Sequence, residues 1–328
     1  MQLTRRSCHT YGFTLVEVSL ATALSVLLLL SLTMAVMNVA EQGRRLSDHL
    51  DRGGRVRLMK SLLVSDLQSA IMRQDGNTWI AIDILNKTDN SGAWVDAAGQ
   101  KPAEDSLQLD PREKSDNNFD WANPEDYRFG VGGMWLRFIT TAADRDVFTD
   151  NKAVPGDVNA VSYQLIRRAM PAAGYVSDGA NASYQLFRSI VRSDHTFDTG
   201  YLVDAYAGGT QQGDPGEMKS PSTDSMLCDN IIDFGVIIHE WSEAENQSVQ
   251  GFPMRHESLP PLKNKTQYRV PQDGVPTSIE VMMRVLSASG ARELRGLEQQ
   301  GISPERWWDI ARRHSRVYSC SMGLPRAL

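Results

Sequence analysis

The chain has 328 residues and a formal net charge of −6, from 34 Lys or Arg and 40 Asp or Glu residues. This acidic balance, without a basic tail, lacks the charge pattern typical of nucleic-acid-binding proteins, so we expect no nucleic acid among the partners. After an N-terminal leader and anchor, about 250 residues remain, and we expect them to form one elaborated domain.

An apolar segment begins close to the N-terminus. Residues 13–37 are almost all apolar or small, and Glu17 is their only charged residue. About 20 apolar residues suffice to cross the hydrocarbon core as a helix, so this segment is expected to span a membrane. Arg5 and Arg6 precede it, and the positive-inside rule then predicts a cytoplasmic N-terminus and an exported remainder of the chain.

Glu17 lies at the head of this membrane-length helix, where an acid is costly to bury. No convincing A-x-A cleavage site follows the apolar segment, so a cut before it, between Gly12 and Phe13, fits better. Such a cut leaves a free amine on Phe13, four residues from Glu17. The carboxylate of the same chain or of a neighbouring subunit would neutralise that amine.

The sequence Gly-Phe-Thr-Leu-Val-Glu at residues 12–17, followed by the apolar run, resembles the start of the type IV prepilin family. The resemblance implies that prepilin peptidase cleaves after Gly12, that Phe13 becomes N-methylated, and that Glu17 sets the register between subunits. It also implies three partners, namely the inner membrane, the peptidase and other pilin or pseudopilin subunits. The alternative is a plain single-pass anchor with a chance acid near one end.

The N-terminal helix is predicted to continue beyond the membrane as an amphipathic half. Apolar residues within 46–71 recur at steps of mostly three and four, and the helix is expected to end near Arg73. Gly53 and Gly54 interrupt it, which predicts either a bend or melted turn, or close packing against a neighbour. The predicted divisions are a leader, a membrane helix, an amphipathic helix and a head, at residues 1–12, 13–38, 39–75 and 76–328.

Beyond residue 76, short alternating or apolar runs are separated by turn residues, a pattern typical of strands. Six strands are predicted, at residues 79–85, 134–140, 158–168, 184–192, 231–241 and 278–286. A helix is expected after Ser303, with the serine as its cap and Pro304 in its first turn, and then a short strand at 316–322. These elements predict an α+β fold, in which a long N-terminal helix packs on a mostly antiparallel sheet.

The order of the predicted strands also resembles one branch of the prepilin family. The likeness is to the PilW-like minor pilins and the J-type minor pseudopilins of type II secretion, and it rests on residues 161–165, 186–191, 231–236 and 275–281. Subunits of these groups sit at or near the filament tip and help to start assembly. The resemblance therefore implies a pilin-like head and a role in initiation.

Two cysteines, Cys228 and Cys320, remain once Cys8 is removed with the leader. In an oxidising periplasm this pair could form a disulfide, and the alternative is two buried free thiols. Their separation along the chain does not distinguish the two, because a disulfide depends on the distance between the two residues in the fold.

The sequence contains no convincing catalytic or metal-binding motif. A zinc protease needs H-E-x-x-H on a helix, but His239-Glu240 is followed by Glu243, and the pair at 256–257 is followed by Pro260. We therefore expect no catalytic residue, no metal and no cofactor.

The sequence therefore predicts a structural subunit rather than an enzyme, held in the bacterial inner membrane by one helix with its head in the periplasm. Its expected role is at the start or tip of a type IV pilus or a type II secretion filament, with a competence filament as a further possible parent machine. One alternative makes the head a tip adhesin or a ligand- or DNA-binding subunit. Another is a membrane-tethered periplasmic enzyme.

Overall fold

The structure is a computed structural model. It describes residues 14–71, 76–85, 101, 107–108, 128–130, 132–141, 158–169, 182–198, 215–253, 267–300 and 304–324. The chain divides into two compact units, Met1–Asp51 and Arg52–Leu328. We call the second unit the head.

The first element, α1, is a single helix at Leu15–Gln68 that belongs to both units. The helix continues through Gly53 and Gly54, so the melted turn predicted there is absent. A Cβ on either glycine would have no atom within 4 Å, and neither therefore packs closely against the described residues.

The end of α1 differs from the prediction by about one turn. It lies at Gln68 rather than near Arg73, because the chain leaves the helix to pair with a strand. The N–H of Ile71 donates to the carbonyl of Ile139 at 2.9 Å, and Ala70 forms an isolated bridge with Thr140.

Two antiparallel sheets form the framework of the head. The six-stranded sheet has the order β10-β1-β4-β5-β6-β7, and the four-stranded sheet has the order β12-β11-β8-β9. The strands of the first sheet are Ile80–Ile84 (β1), Met134–Thr140 (β4), Asn159–Ala169 (β5), Ala182–Val191 (β6), Met226–Asp229 (β7) and Gln267–Val270 (β10). Those of the second are Ile231–Ser242 (β8), Gln247–Phe252 (β9), Ser278–Leu286 (β11) and Ser315–Gly323 (β12).

Smaller elements complete the described part of the head. A two-stranded pair joins β2 (Leu107–Gln108) to β3 (Arg128–Phe129). The helices are α2 at Ser193–Asp198, α3 at Ala288–Gln300 and α4 at Pro304–His314, with two short 3₁₀ turns at Pro215–Met218 and Thr223–Ser225.

The predicted α+β class is confirmed, and each of the six predicted strands is present. The predicted ranges 134–140 and 278–286 coincide with β4 and β11. The last strand and the helix after Ser303 are also present, as β12 and α4. The head differs from the prediction in having two main sheets instead of one, and it contains elements that were not predicted, namely the strands β2, β3, β7, β9 and β10 and the helices α2 and α3.

One hydrophobic core joins α1, both sheets, α3 and α4. The α1 side chains in it are at steps of three and four, namely Val56, Met59, Leu63 and Leu67, and each is at most 5% exposed. Tyr163 of the six-stranded sheet stacks on Phe234 of the four-stranded sheet, with ring centroids 6.5 Å apart. Burying each large apolar side chain contributes about 1.5–3 kcal/mol, so α1 is held to the head mainly by this stripe.

Candidate functional site

The N-terminal part of α1 presents a continuous apolar surface. Leu15–Gly43 is long and apolar enough to cross a membrane, and each of its residues is exposed. Leu15 is 84% exposed and Leu28 is 69% exposed. Apolar patches of this size are rare on soluble monomers, because they associate with membranes or with other proteins. By length and composition the segment is either a single membrane span or a signal sequence.

Glu17 is the only charged residue between residues 14 and 40, and it lies in the first turn of α1. Its Oε2 accepts the N–H of Thr14 at 2.8 Å and the hydroxyl of Thr14 at 3.0 Å. In return, the N–H of Glu17 donates to Thr14 Oγ1 at 3.2 Å. This reciprocal pair is a capping box, which satisfies the first N–H groups of the helix.

The capping box leaves part of the Glu17 carboxylate available. Both bonds from Thr14 go to Oε2, and Oε1 accepts no hydrogen bond from any residue that the structure describes. The positive end of the helix dipole favours a carboxylate here. Gly12 and Phe13, the predicted cleavage and methylation positions, lie outside the described residues, so those assignments stay predictions.

A buried charged cluster fixes the last turns of α1 in the head. Asp66 accepts two hydrogen bonds from Arg188 of β6, from Nε at 2.8 Å and from Nη2 at 2.9 Å. The hydroxyl of Tyr163, on β5, donates to the same carboxylate at 2.6 Å. The main-chain carbonyl of Asp66 also accepts the hydroxyl of Thr140 at 2.8 Å. Three strands of one sheet therefore hold a single helical turn.

The burial of this cluster changes the proton affinities of its members. Burial, together with the charge of Asp66, raises the pKa of Tyr163 well above its ordinary value, so Tyr163 stays a hydrogen-bond donor. Burial opposes the charge of Arg188, but the bonds from Arg188 to Asp66 outweigh it and raise the pKa of the guanidinium. Tyr163 therefore stays protonated and Arg188 stays charged at neutral pH.

A second buried pair lies on the four-stranded sheet. Lys101 Nζ donates to Asp233 Oδ1 at 3.0 Å and to the carbonyl of Gly130 at 2.6 Å, and the Lys101 side chain is 0% exposed. Burial lowers the pKa of Lys101, against the opposing effect of Asp233, and the charges of Arg284 and Arg128 lower it further. The ion pair therefore fixes the position of residue 101. It lies close to two further cations, Arg284 and Arg128.

Glu298 of α3 connects the helices to the six-stranded sheet. Its Oε2 accepts Arg167 Nη2 at 2.9 Å, and its Oε1 accepts the Tyr184 hydroxyl at 2.8 Å and Trp307 Nε1 at 3.0 Å. The Tyr184 oxygen in turn accepts the N–H of Lys101 at 2.8 Å. These hydrogen bonds connect β5, β6, α3 and α4.

Sequence reasoning did not identify these clusters, although one of them has a visible signal. Asp233 interrupts the apolar run of β8, and an acid in a buried strand needs a partner. The partner, Lys101, lies 132 residues away, so no local pattern indicates it. Asp66 has the helical spacing of the apolar stripe and gives a weaker signal of the same kind.

Cys228 and Cys320 are free and buried, which is the second of the two alternatives stated from the sequence. Cys228 is on β7 of one sheet and Cys320 is on β12 of the other. Burial raises the pKa of the Cys228 thiol to about 11 and also raises that of Cys320. Since the thiolate is the reactive form, both thiols are poor nucleophiles at neutral pH.

The described residues contain no group of three or more His, Cys, Asp or Glu side chains that could hold a metal ion. His239 and Glu240 are neighbours on β8 and so point to opposite faces of the sheet, unlike the ligands of a helical zinc motif. The pair at 256–257 lies outside the described residues.

Comparison with known proteins finds no relative for this chain. No family model, no curated protein and no solved structure matches it.

Proposed function

We propose that this chain is a structural subunit of the prepilin type, which helps to start or cap a type IV pilus or a type II secretion filament. Prepilin peptidase cuts it after Gly12, and Phe13 is then N-methylated. Leu15–Gly43 anchors it in the inner membrane, and the head lies in the periplasm. During assembly, Glu17 pairs with the terminal amine of a neighbouring subunit.

The single observation that carries this proposal is the position of Glu17. It is the only charge in an exposed apolar helical segment, and one of its carboxylate oxygens has no partner among the described residues. A buried acid in lipid is a functional feature by default, because it is costly to keep there. An ammonium group from a neighbouring helix would neutralise it in an environment where charge pairs interact strongly.

The head supports the same role. The apolar stripe and the Asp66 cluster hold the C-terminal turns of α1, while the N-terminal turns leave their apolar side chains exposed. The N-terminal turns of α1 therefore present an apolar surface, and its C-terminal turns are part of the head. This division suits a protein that first sits in a membrane and then packs against other subunits.

N-terminal sequencing of the protein from its native envelope tests the proposal. We expect a chain that begins at Phe13 with a methylated amine and retains the apolar segment. A control with Gly12→Lys, which replaces the residue before the cut, should keep the leader. A native chain that begins at Met1, or one that has lost Leu15–Gly43 as a signal sequence would, contradicts the proposal.

Substitutions at Glu17 test the charge pairing separately from the capping box. We expect Glu17→Val and Glu17→Gln to insert in the membrane normally but to enter filament complexes about tenfold less or worse, because neither carries a charge for the neighbour's amine. Glutamine can still act in a capping box, so it keeps the helix start. The measurement is co-purification with cross-linked partner subunits.

Glu41→Gln is the matched control for these substitutions, because Glu41 is the next acid along the chain and lies after the apolar run. It should leave co-purification unchanged. If Glu17→Gln behaves as the native protein does while Glu17→Val fails, capping rather than charge is what matters, and the pairing mechanism is wrong.

A further inference from the structure

Strand β12 forms one edge of the four-stranded sheet and has an unusually regular geometry. Its nine residues pair with β11 from Ser315↔Leu286 to Gly323↔Ser278 without a register shift. No described strand pairs with its other side. β12 therefore presents a nine-residue strand edge with a continuous register.

The register shows which residues of β12 direct their main-chain groups outward. The N–H of Leu324 donates to the carbonyl of Thr277 at 3.1 Å, and the N–H of Ser287 donates to the carbonyl of His314 at 2.8 Å. Both bonds continue the β11–β12 register, so the even-numbered residues of β12 bond to β11. The odd-numbered residues, which face away from β11, are Ser315, Val317, Ser319, Ser321 and Gly323.

These outward main-chain groups have no partner in the described part of the protein. Within the described ranges, no strand pairing, turn or cap involves the outward N–H and C=O groups of Val317, Ser319 and Ser321. The side chains of Ser319 and Ser321 are also exposed, so the edge is open to solvent. Such a row of donors and acceptors is a ready template for an added strand.

The other strand edges of the two main sheets are poorer templates. β7 and β10 have four residues each, and the pairing of β7 with β6 contains a register shift. β9 has six residues, and its pairing with β8 also shifts. Short edges and bulges are common protection against edge-to-edge pairing. β12 lacks both devices, contains no proline, and has one charged residue, Arg316.

Three exposed cations lie near this edge, although the chain as a whole is acidic, and Glu280 of β11 is the acid opposite Ser321. Arg316 on β12, Arg312 in the last turn of α4 and Lys60 on α1 are exposed, and none has a carboxylate partner among the described residues. The charges of Lys60 and Glu280 act in opposite directions on the pKa of the buried Cys320 thiol, so both groups lie in the neighbourhood of β12. A segment that docks here therefore meets unneutralised cations.

We propose that β12 is a docking edge for an extended, acidic segment of a partner protein, which adds as a fifth strand to the four-stranded sheet. Main-chain hydrogen bonds to Ser315, Val317, Ser319, Ser321 and Gly323 hold the segment, and carboxylates on it face Arg316 and Lys60. The inference rests on β12 and its neighbouring charges, and it stands independently of the processing of the N-terminus.

A peptide of alternating valine and glutamate, capped at both ends and labelled with a fluorophore, is the probe. We expect it to bind the full chain in detergent micelles, measured by fluorescence anisotropy, and the same peptide with lysine in place of glutamate to bind at least about tenfold more weakly. Arg316→Glu combined with Lys60→Glu should reverse this preference. Binding of both peptides with equal affinity, or of neither, overturns the proposal.

Ser319→Pro and Ser319→Ala separate main-chain pairing from other modes of binding. Proline at residue 319 removes an outward N–H and no bond to β11, so the sheet keeps its own ladder. We expect Ser319→Pro to weaken peptide binding about tenfold or more, and Ser319→Ala to leave it unchanged. Circular dichroism and the burial of Cys320 check that the proline variant is folded. Equal binding by both variants overturns the proposal.

Hydrogen exchange of the native sequence gives a readout that needs no substitution. In the free protein, the amides of Tyr318, Cys320 and Met322 should be protected and those of Val317, Ser319 and Ser321 should exchange freely. The peptide should protect the second set. If instead the second set becomes protected as protein concentration rises without peptide, β12 pairs with a second copy of the chain, and the acidic partner is wrong.

Discussion

Replacing Asp66 by alanine is expected to lower the free energy of unfolding of the head by about 3–5 kcal/mol, which is the cost of removing one partner of a buried ion pair. Asp66 is 1% exposed and accepts two bonds from Arg188 and one from Tyr163. Without it, a buried guanidinium has lost its carboxylate, and a buried hydroxyl has lost its acceptor. Urea unfolding, followed by tryptophan fluorescence in detergent, measures the change.

Two further variants show that the effect comes from the charge pair. Tyr163→Phe removes a single hydrogen bond to a charged group and should cost about 1.5–3 kcal/mol, less than the loss of Asp66. Asp309→Ala is the matched control, because Asp309 is an exposed acid on α4 and its loss should stay within about 0.5 kcal/mol. An Asp66→Ala variant no less stable than Asp309→Ala would contradict this account of the docking of α1.

The second large effect is expected at Asp233. Asp233→Ala should cost about 3–5 kcal/mol, because it leaves Lys101 buried without its carboxylate partner. The site is already rich in cations, since Arg284 lies directly opposite Asp233 across the β8–β11 pair and Arg128 is also near Lys101. Urea unfolding at neutral pH measures the change.

Lys101→Met provides the comparison for that variant. Methionine keeps most of the length of the side chain and removes the charge, so the remaining cations share one acid with less repulsion. We therefore expect Lys101→Met to be clearly less destabilising than Asp233→Ala. The opposite order would mean that the site does not have an excess of cations, and the electrostatic argument for Lys101 would be wrong.

The six predicted strands and the last strand were predictable because each has an apolar or alternating pattern between turn residues, whereas β2, β3, β7, β9 and β10 lack such a pattern and were not predicted. β4 and β11 match their predicted ranges, since the patterns begin and end sharply at Met134–Thr140 and Ser278–Leu286. The sheet order was not predictable, because β10 pairs with β1 although most of the sequence of the head lies between these two strands. Periodicity indicates which residues form a strand and carries no information about the partner of that strand.

Helix α3 was not predicted for a different reason, because the sequence does contain a helix cap and apolar residues at helical spacing there. Ser287 precedes it, and its Oγ accepts the N–H of Gly290 at 3.0 Å as a helix cap. Leu294 and Leu297, three residues apart, form its buried side. The helix has few apolar residues and follows a strand directly, so its pattern is easily taken for a polar connection.

The residues of the candidate site likewise differ in whether the sequence indicates them. Glu17 could be identified from the sequence because its neighbours along the chain are uniformly apolar, so a single charge is conspicuous. Asp66 and Lys101 were not identified as parts of a cluster, since their partners lie about 100 positions or more away in the sequence. Long-range polar contacts depend on the sheet order, and the sequence pattern does not supply it.

The capping box at the start of α1 bears on the proposed cleavage after Gly12. Both of its members, Thr14 and Glu17, lie on the C-terminal side of the bond between Gly12 and Phe13. A protease that cuts that bond therefore removes no group that begins the helix. In the proposed maturation, the first turn would therefore keep its capping box after the cut, so that Phe13 could be methylated without unwinding the helix.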